Sequence, residues 1–409
     1  MATLVELGRA VDAALAARAR LRARPLRETA AALAAAAGRW AGDDALRAEL
    51  PAVARLSPAM VAEILPLAAG ALDADAMGEL VARERGAAPG PALVAAVVAS
   101  NVPALGVPAI ALGCLTGAAV LIKSGRGDPL SAPAFRRALD AVDPDLAATV
   151  VTAYWPGGTR SFEQALLARA DVVVASGGDA TMEALRRQVG PRLLTYGARM
   201  SLVALDLRHE AALEPVARAV ARDVALHDQR GCLSPHVALV VGDREAFADA
   251  LVRALAALRP ALPPGGLTLE ERAAIRLAVE EASWAGAHAV RAGLGGAALV
   301  ETWADVRPGP GARTVRVCPL ASLAALPAAL PAGRIECVGV HGEGVDVEAL
   351  RARGVSRVCR AGRMQEPPLA WPRGQRAALG SLLRPDDPTR HLLNELAAAP
   401  PAEPWRTDA

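Results

Sequence analysis

The sequence predicts an α/β fold: two domains, each built on a parallel sheet covered on both faces, with a helical region ahead of them. Three observations carry this. Ala, Leu and Val recur at three- and four-residue spacing over residues 4–84, with Arg and Glu between them, the pattern of packed helices. From Leu93 onward short apolar runs alternate with helix-like stretches, as the strands and crossover helices of a parallel sheet do. The alternation resumes after a loop at His227 to Pro235, so a second unit follows the first. The expected division is 1–208 plus 360–409 against 209–359.

In the helical region, Asp43-Asp44 and Ser57-Pro58 are helix starts, the second a cap followed by an early-turn proline. Gly86 to Pro91 breaks the helices. Strands are expected near Leu93, Ala118, Thr149, Asp171 and Ser201, and helices near Leu105, Leu130, Ser161, Asp179 and Ala211. In the second unit a strand spans Val237 to Val241, Pro260 to Gly266 is a surface link, and a long helix runs from Thr268 to Arg291. Strands near Leu299, Thr314, Ile335 and Arg357 then alternate with helices near Ala321 and Val347. The end, Ala397 to Ala409, is expected to be loosely held.

No charged side chain occurs from Gly86 to Ile122, and the run ends on Lys123. It is long enough to cross a bilayer, for which about 20 apolar residues suffice. Pro103 and Pro108 interrupt it, however, and Ser100 and Asn101 would lack partners in lipid. It splits instead into a buried strand, a polar turn at Ala99 to Pro103, a buried helix and a second strand that delivers a cation. No membrane span is expected.

Apolar residues make up 53% of the 409, enough for a large core, and aromatics only 3%, which argues against a stacking platform for single-stranded nucleic acid. The net charge is +2 and the arginines are dispersed, so no nucleic-acid partner is expected. The N-terminus carries an early acid and no apolar core, so no signal peptide is expected. Five scattered cysteines without a Cys-X-X-Cys pair fit a reducing, cytoplasmic setting rather than a disulfide framework or zinc site.

Four places have the residue types for chemistry. Cys232 follows Gly231 and precedes Ser234-Pro235, a turn that can hold a thiol over a cleft, with Arg230, His227 and His236 near enough in sequence to favour the thiolate. The plain alternative is a buried structural cysteine, the reading preferred for Cys114, Cys318, Cys337 and Cys359. Lys123, followed by Ser124-Gly125-Arg126, can reach a ribose hydroxyl or a phosphate, or be a solvated strand end. Ser176-Gly177-Gly178 joins a strand to a helix whose backbone amides can bind phosphate; otherwise it is a turn with Asp179 as N-cap. Asn101 can donate to an oxyanion or simply form a turn. Gly293 to Ala298 contains the one literal Gly-X-Gly-X-X-Ala, but in the wrong context for a dinucleotide fingerprint, and is read as a loop.

These pieces, in this order, resemble the aldehyde dehydrogenase superfamily, and within it the acyl-CoA reductase branch of the bacterial luminescence fatty-acid reductase. Ala99-Ser100-Asn101-Val102-Pro103 resembles the family's oxyanion turn, Leu121-Ile122-Lys123-Ser124 the strand that holds the adenosine ribose, and Ala175-Ser176-Gly177-Gly178 the pyrophosphate-facing turn. Gln229 to Pro235 resembles the nucleophile loop. Gly362-Arg363-Met364-Gln365-Glu366-Pro367-Pro368 with Trp371 resembles the C-terminal signature of the reductase branch. The resemblance implies an aldehyde dehydrogenase-like pair of Rossmann-like domains, 1–208 plus 360–409 binding NAD(P) and 209–359 carrying the nucleophile. It implies Cys232 and Asn101 as catalytic residues and Ser100, Lys123, Ser124, Arg126, Ser176, Gly177 and Gly178 as cofactor-binding ones; no metal site is expected, because the cysteines and the six histidines are scattered and no His-Glu-X-X-His occurs.

Two departures sharpen it. Thr195 falls where hydrolytic relatives carry the Glu that activates water, so an acyl-enzyme here would be spared hydrolysis. Arg126 replaces a Glu that accepts from ribose hydroxyls in NAD users, and an Arg there can pair with a 2′-phosphate, favouring NADPH. The expected activity is therefore NADPH-dependent reduction of an acyl-CoA or acyl-protein thioester to an aldehyde. The alternatives are an acylating aldehyde dehydrogenase running oxidatively and a catalytically silent nucleotide-binding scaffold. An acyl-transferring partner enzyme and a homo-oligomer are both allowed.

Overall fold

The computed structural model describes residues 3–21, 23–86, 89–284, 289–293, 295–302 and 306–397. The expectation of a loose end therefore lies almost wholly outside the described residues. The chain falls into two compact units, Met1–Ala54 with Val61–Ala198 and Pro368–Thr389, and Arg55–Met60 with Arg199–Pro367 and Arg390–Ala409.

The first unit opens with α1 (Leu4–Arg20), α2 (Leu26–Ala41), α3 (Asp44–Ala54), α4 (Pro58–Gly70) and α5 (Ala74–Glu84). Thr3 and Glu6 cap α1 reciprocally, and Asp43, Ser57 and Asp73 accept the orphan N–H groups of Leu46, Met60 and Ala76. The charge-free run folds as β1 (Leu93–Val97), α6 (Gly106–Leu115) and β2 (Ala119–Lys123). α6 lies so close to β2 that a Cβ on Gly113 would sit 2.6 Å from Val120 Cγ2.

The unit is completed by α7 (Ser131–Asp140), α8 (Pro144–Ala147), β3 (Val150–Ala153), α9 (Arg160–Phe162, continuing as a π turn to Leu167), β4 (Val172–Ser176), α10 (Asp179–Val189) and β5 (Leu193–Tyr196). Its sheet is parallel, in the order β3-β2-β1-β4-β5. The winding reverses at β1, so the C-terminal ends of β1 and β4 flank a crevice, where open α/β sheets bind ligands.

The second unit contains β6 (Met200–Asp206), α11 (Leu213–Ala225), β7 (Pro235–Val241), α12 (Arg244–Leu258), α13 (Leu269–Trp284), β8 (Ala289–Gly293), β9 (Gly296–Val300), β10 (Thr314–Pro319), β11 (Ile335–His341), β12 (Arg357–Arg360) and β13 (Leu393–Asn394). The sheet order is β13-β12-β11-β6-β7-β10-β9-β8, parallel apart from the β8–β9 hairpin. Residues 55–60, 199–208, 360–367 and 390–397, expected with the first unit, lie here: β6 pairs with both β7 and β11, residues 362–365 hang on α11, and β13 pairs with β12. The helix expected to reach Arg291 is described as far as Trp284, with residues 285–288 outside the described residues; residues 289–293 pair with β9 instead, sheet pairing overriding a weak local preference. Gly293 to Ala298, expected as a loop, holds the hairpin tip and the start of β9, with Leu294 outside the described residues. Among the described residues no single helix is long and apolar enough to cross a membrane.

Candidate active site

The polar turn after β1 is tied to both neighbouring strands. Val98 N–H donates to the Lys123 carbonyl at 3.1 Å, and Ala99 N–H donates to Ser176 Oγ at 3.1 Å. Ser100 packs against the turn after β2, where a Cβ on Gly125 would lie 2.6 Å from the Ser100 Cβ. Buried Asp128 fixes the far side of the turn, accepting from Ala104 N–H at 2.8 Å and Ser131 N–H at 2.9 Å, while Ala104 takes a left-handed φ of 70°. Asn101 itself is exposed at the tip. Ser124 is buried, its N–H bonded to the Ala153 carbonyl at 2.9 Å.

A cavity of about 590 Å³ opens at this edge of the first sheet, a size typical of ligand pockets. Val97, Lys123, Gly157, Gly158, Arg160 and Glu163 line it, with one face of α10 that includes Thr181 and Arg187. Lys123 is the sole lysine of the chain and half-buried. Burial lowers its pKa, and the charge of Glu163 pulls it back up. Gly178, not Asp179, is the N-cap of α10, and no side chain caps the helix. The N–H groups of Asp179 and Ala180 in its first turn are therefore available to an anion, Thr181 N–H being bonded to the Gly178 carbonyl at 3.0 Å. Cations, uncapped amides and an apolar wall in one cavity fit a dinucleotide. Arg126, a candidate phosphate ligand by its spacing from Lys123, is exposed on the turn after β2 and is not part of this wall, because the chain turns at Ser124-Gly125.

In the second unit Cys232 sits on the loop between α11 and β7. It is half-exposed, whereas Cys114, Cys318, Cys337 and Cys359 are buried. Burial pushes the Cys114 thiol up to about 12 and Cys337 well above its ordinary range. Three consecutive residues ahead of Cys232 take left-handed backbone, His227 at φ 57°, Asp228 at 51° and Gln229 at 61°. Strain of this kind, about 1–3 kcal/mol per residue, persists only where the surroundings enforce it, and it clusters at functional sites.

Buried partners enforce it here. Asp228 accepts from Arg313 Nη2 at 2.7 Å and Gly265 N–H at 2.9 Å. Gln229 donates to the Pro235 and Thr314 carbonyls at 2.8 and 3.0 Å and accepts from Thr314 N–H at 2.8 Å. Ser201 Oγ donates to the Cys232 carbonyl at 2.6 Å and accepts from Cys337 N–H at 3.1 Å. Gln365 Nε2 donates to Ser234 Oγ at 3.1 Å and to the Asp223 carbonyl at 2.9 Å. The Asp223 carboxylate in turn accepts from Gly362 and Met364 N–H.

The neighbours expected to favour a thiolate do not all do so. Burial lowers His227 to about 4 and also lowers His236, so neither is a cation at neutral pH. Arg230 donates to the Arg55 and Gly266 carbonyls and pairs with Glu271 at 3.3 Å.

A family model for acyl-CoA reductase (LuxC) matches residues 79–384. This chain belongs to that family. Its match with the long-chain acyl-protein thioester reductase of Aliivibrio fischeri is 30% identical over 196 residues, covering 46% of this chain and 40% of the relative. With the Vibrio harveyi protein of the same description it is 31% identical, covering 46% and 41%. Each match thus spans about two fifths of the relative's length. Among solved structures, aldehyde dehydrogenase 21 from Physcomitrella patens superposes with a TM-score of 0.74 over 93% of this chain and 89% of its own, at 14% identity. An indole-3-acetaldehyde dehydrogenase complexed with NAD+ gives 0.69 over 87% and 80%, at 17% identity. The fold of this family member is therefore that of the aldehyde dehydrogenases.

Reading the sequence missed the residues that hold the site: Asp128, Ser201, Asp223 and the bond from Gln365 to Ser234. Asp128 and Asp223 left a faint signal as isolated acids beside apolar stretches. Ser201 left none.

Proposed function

We propose that this chain is an NADPH-dependent reductase of acyl thioesters that works through a Cys232 acyl-enzyme. The observation that carries this is the half-exposed Cys232, the one cysteine of the five that solvent reaches, on a strained and clamped loop. The names of the relatives bring an acyl-protein thioester to this chain as the substrate class, with acyl-CoA the other carrier.

In this reading the Cys232 thiolate attacks the thioester carbonyl, and the carrier leaves as its thiolate. The Asn101 amide and the Cys232 backbone N–H donate to the oxyanion. Splitting the reduction through a covalent intermediate is the usual logic of a thiol nucleophile. Lys123 and Ser124 hold the ribose, Ser100 shapes the turn beside them, and Ser176-Gly177-Gly178 presents the α10 amides to the pyrophosphate. A reduced nicotinamide, when bound, would supply the hydride that the acyl carbon takes up. The resulting thiohemiacetal expels the Cys232 thiolate and releases the aldehyde. Thr195, lacking a base, spares the acyl-enzyme from water.

A single turnover with labelled acyl-CoA or acyl-protein thioester tests this. Wild type should form a labelled enzyme that NADPH discharges as aldehyde, and Cys232→Ser should form none. Labelled enzyme at the normal rate in Cys232→Ser would sink the assignment.

A further inference from the structure

We infer that Arg160, on the exposed rim of the cavity in the first unit, reads a phosphomonoester on the ribose of the bound nucleotide, the 2′-phosphate that distinguishes NADPH from NADH. This rests on the reading of that cavity as a nucleotide site, and it moves the specificity element away from Arg126.

The wall carries three cations, Lys123, Arg160 and Arg187, against one carboxylate, Glu163. Two of the cations already have electrostatic company. Lys123 is half-buried and feels the charge of Glu163. Arg187 Nη1 lies 3.0 Å from Glu183 Oε1. The Arg160 guanidinium has neither hydrogen bond nor ion pair among the described residues, although its backbone N–H is fixed on the Gly158 carbonyl at 2.9 Å. Other arginines of the same unit find partners: Arg169 reaches the Gly8 carbonyl at 3.1 Å, Arg186 reaches Glu183 at 2.7 Å, and Arg192 reaches the Ala168 carbonyl at 3.0 Å.

A planar guanidinium that is unspent and lines a positive cavity matches a phosphate, to which it can donate two parallel bonds. The one carboxylate of the wall is itself engaged: Glu163 Oε1 accepts from Gly158 N–H at 3.2 Å, and its charge acts on Lys123. Gly157 and Gly158 place no side chain between Arg160 and the cavity.

Calorimetric binding of NADP+ and NAD+ to the full chain tests the inference without turnover. Arg160→Glu should weaken NADP+ by about 10- to 100-fold, the worth of a charged hydrogen-bonded pair. NAD+ should change by less than about threefold, as for an ordinary surface substitution. Arg160→Gln should give a smaller loss in the same direction, and Arg126→Glu should leave both affinities unchanged. Equal weakening of NADP+ and NAD+ by Arg160→Glu, or selective loss of NADP+ in Arg126→Glu, would overturn it. Because Lys123 is the sole lysine, amine-reactive labelling read on the peptide that carries it reports occupancy separately. If neither dinucleotide binds wild type or shields Lys123 from labelling, the nucleotide reading itself fails, and with it this inference.

Discussion

Cys232 differs from the other four cysteines in being reachable by solvent, and a thiol that solvent reaches can ionise at far lower cost than one buried among apolar side chains. Alkylation over a pH series should modify Cys232 first, with Cys114 silent below about pH 12, where burial has moved it. His227, in the same loop, carries a pH signature. Its folded value is about 4 against an ordinary 6.5, and its buried Nδ1 has no partner among the described residues. Above pH 6.5 it is neutral folded or unfolded and adds nothing. As pH falls from 6.5 towards 4 the unfolded chain takes up a proton that the folded one refuses, so stability is lost across that window. His227→Asn, which tolerates the left-handed backbone, should flatten this acid limb by up to about 3 kcal/mol in denaturant titrations at pH 7 and pH 4.5. An unchanged difference between the two pH values would show that His227 is not buried neutral.

At the scale of elements, the nucleophile loop draws its conformation from strands remote in sequence: β6 through Ser201, β10 through Thr314, and the segment after β12 through Gln365. This gives the Gly-Arg-Met-Gln stretch a physical job, since Asp223 holds its backbone while Gln365 reaches Ser234. Burial raises the Asp223 carboxyl to about 7, opposed by the N–H groups of Gly362 and Met364 and by Arg222. Gln365→Ala should cost about 1–3 kcal/mol, the range for stranding a buried hydrogen-bonding group. It should also slow Cys232 alkylation, and adding Ser234→Ala to it should cost little more, because the bond that Ser234→Ala removes is already gone. Full additivity of the two would mean that this bond does not set the loop. The rule that open sheets bind ligands at the C-terminal ends of strands locates the first-unit cavity, but not Cys232, which precedes β7.

At the scale of the whole molecule, the chain returns to a unit it has already left. Leu382 packs with Val94, Ala118, Val172 and Leu194 of the first sheet, and Glu84 accepts from Leu379 and Gly380 N–H at 2.8 and 3.1 Å. In the same returning segment Arg373 stacks 4.7 Å over the Tyr196 ring. The first unit is thus closed by residues that follow the main segment of the second, Arg199–Pro367, in sequence. Leu382→Ala should destabilise by about 2–4 kcal/mol. A chain ending at residue 367 should show a lower Tm and weaker dinucleotide binding, although every residue of the cavity wall is retained. Unchanged dinucleotide affinity in that truncation would show that the returning segment is dispensable to the site.

The alternation of strands and helices, the charge-free run, the Asn101 turn, the Ser176-Gly177-Gly178 turn and the distinction between Cys232 and the other cysteines were legible in the sequence. Each is written in local periodicity, turn chemistry or motif order, which need no knowledge of what lies across the fold. The assignment of β6 to the second sheet, the strand in place of a helix at residues 289–293, and the exclusion of Arg126 from the cavity were not. Nor were the clamps of Asp128, Ser201, Asp223 and Gln365. These depend on strand pairing and on buried hydrogen bonds between residues up to 142 positions apart, and a buried polar group's partner is chosen by folding, not by its neighbours in the chain.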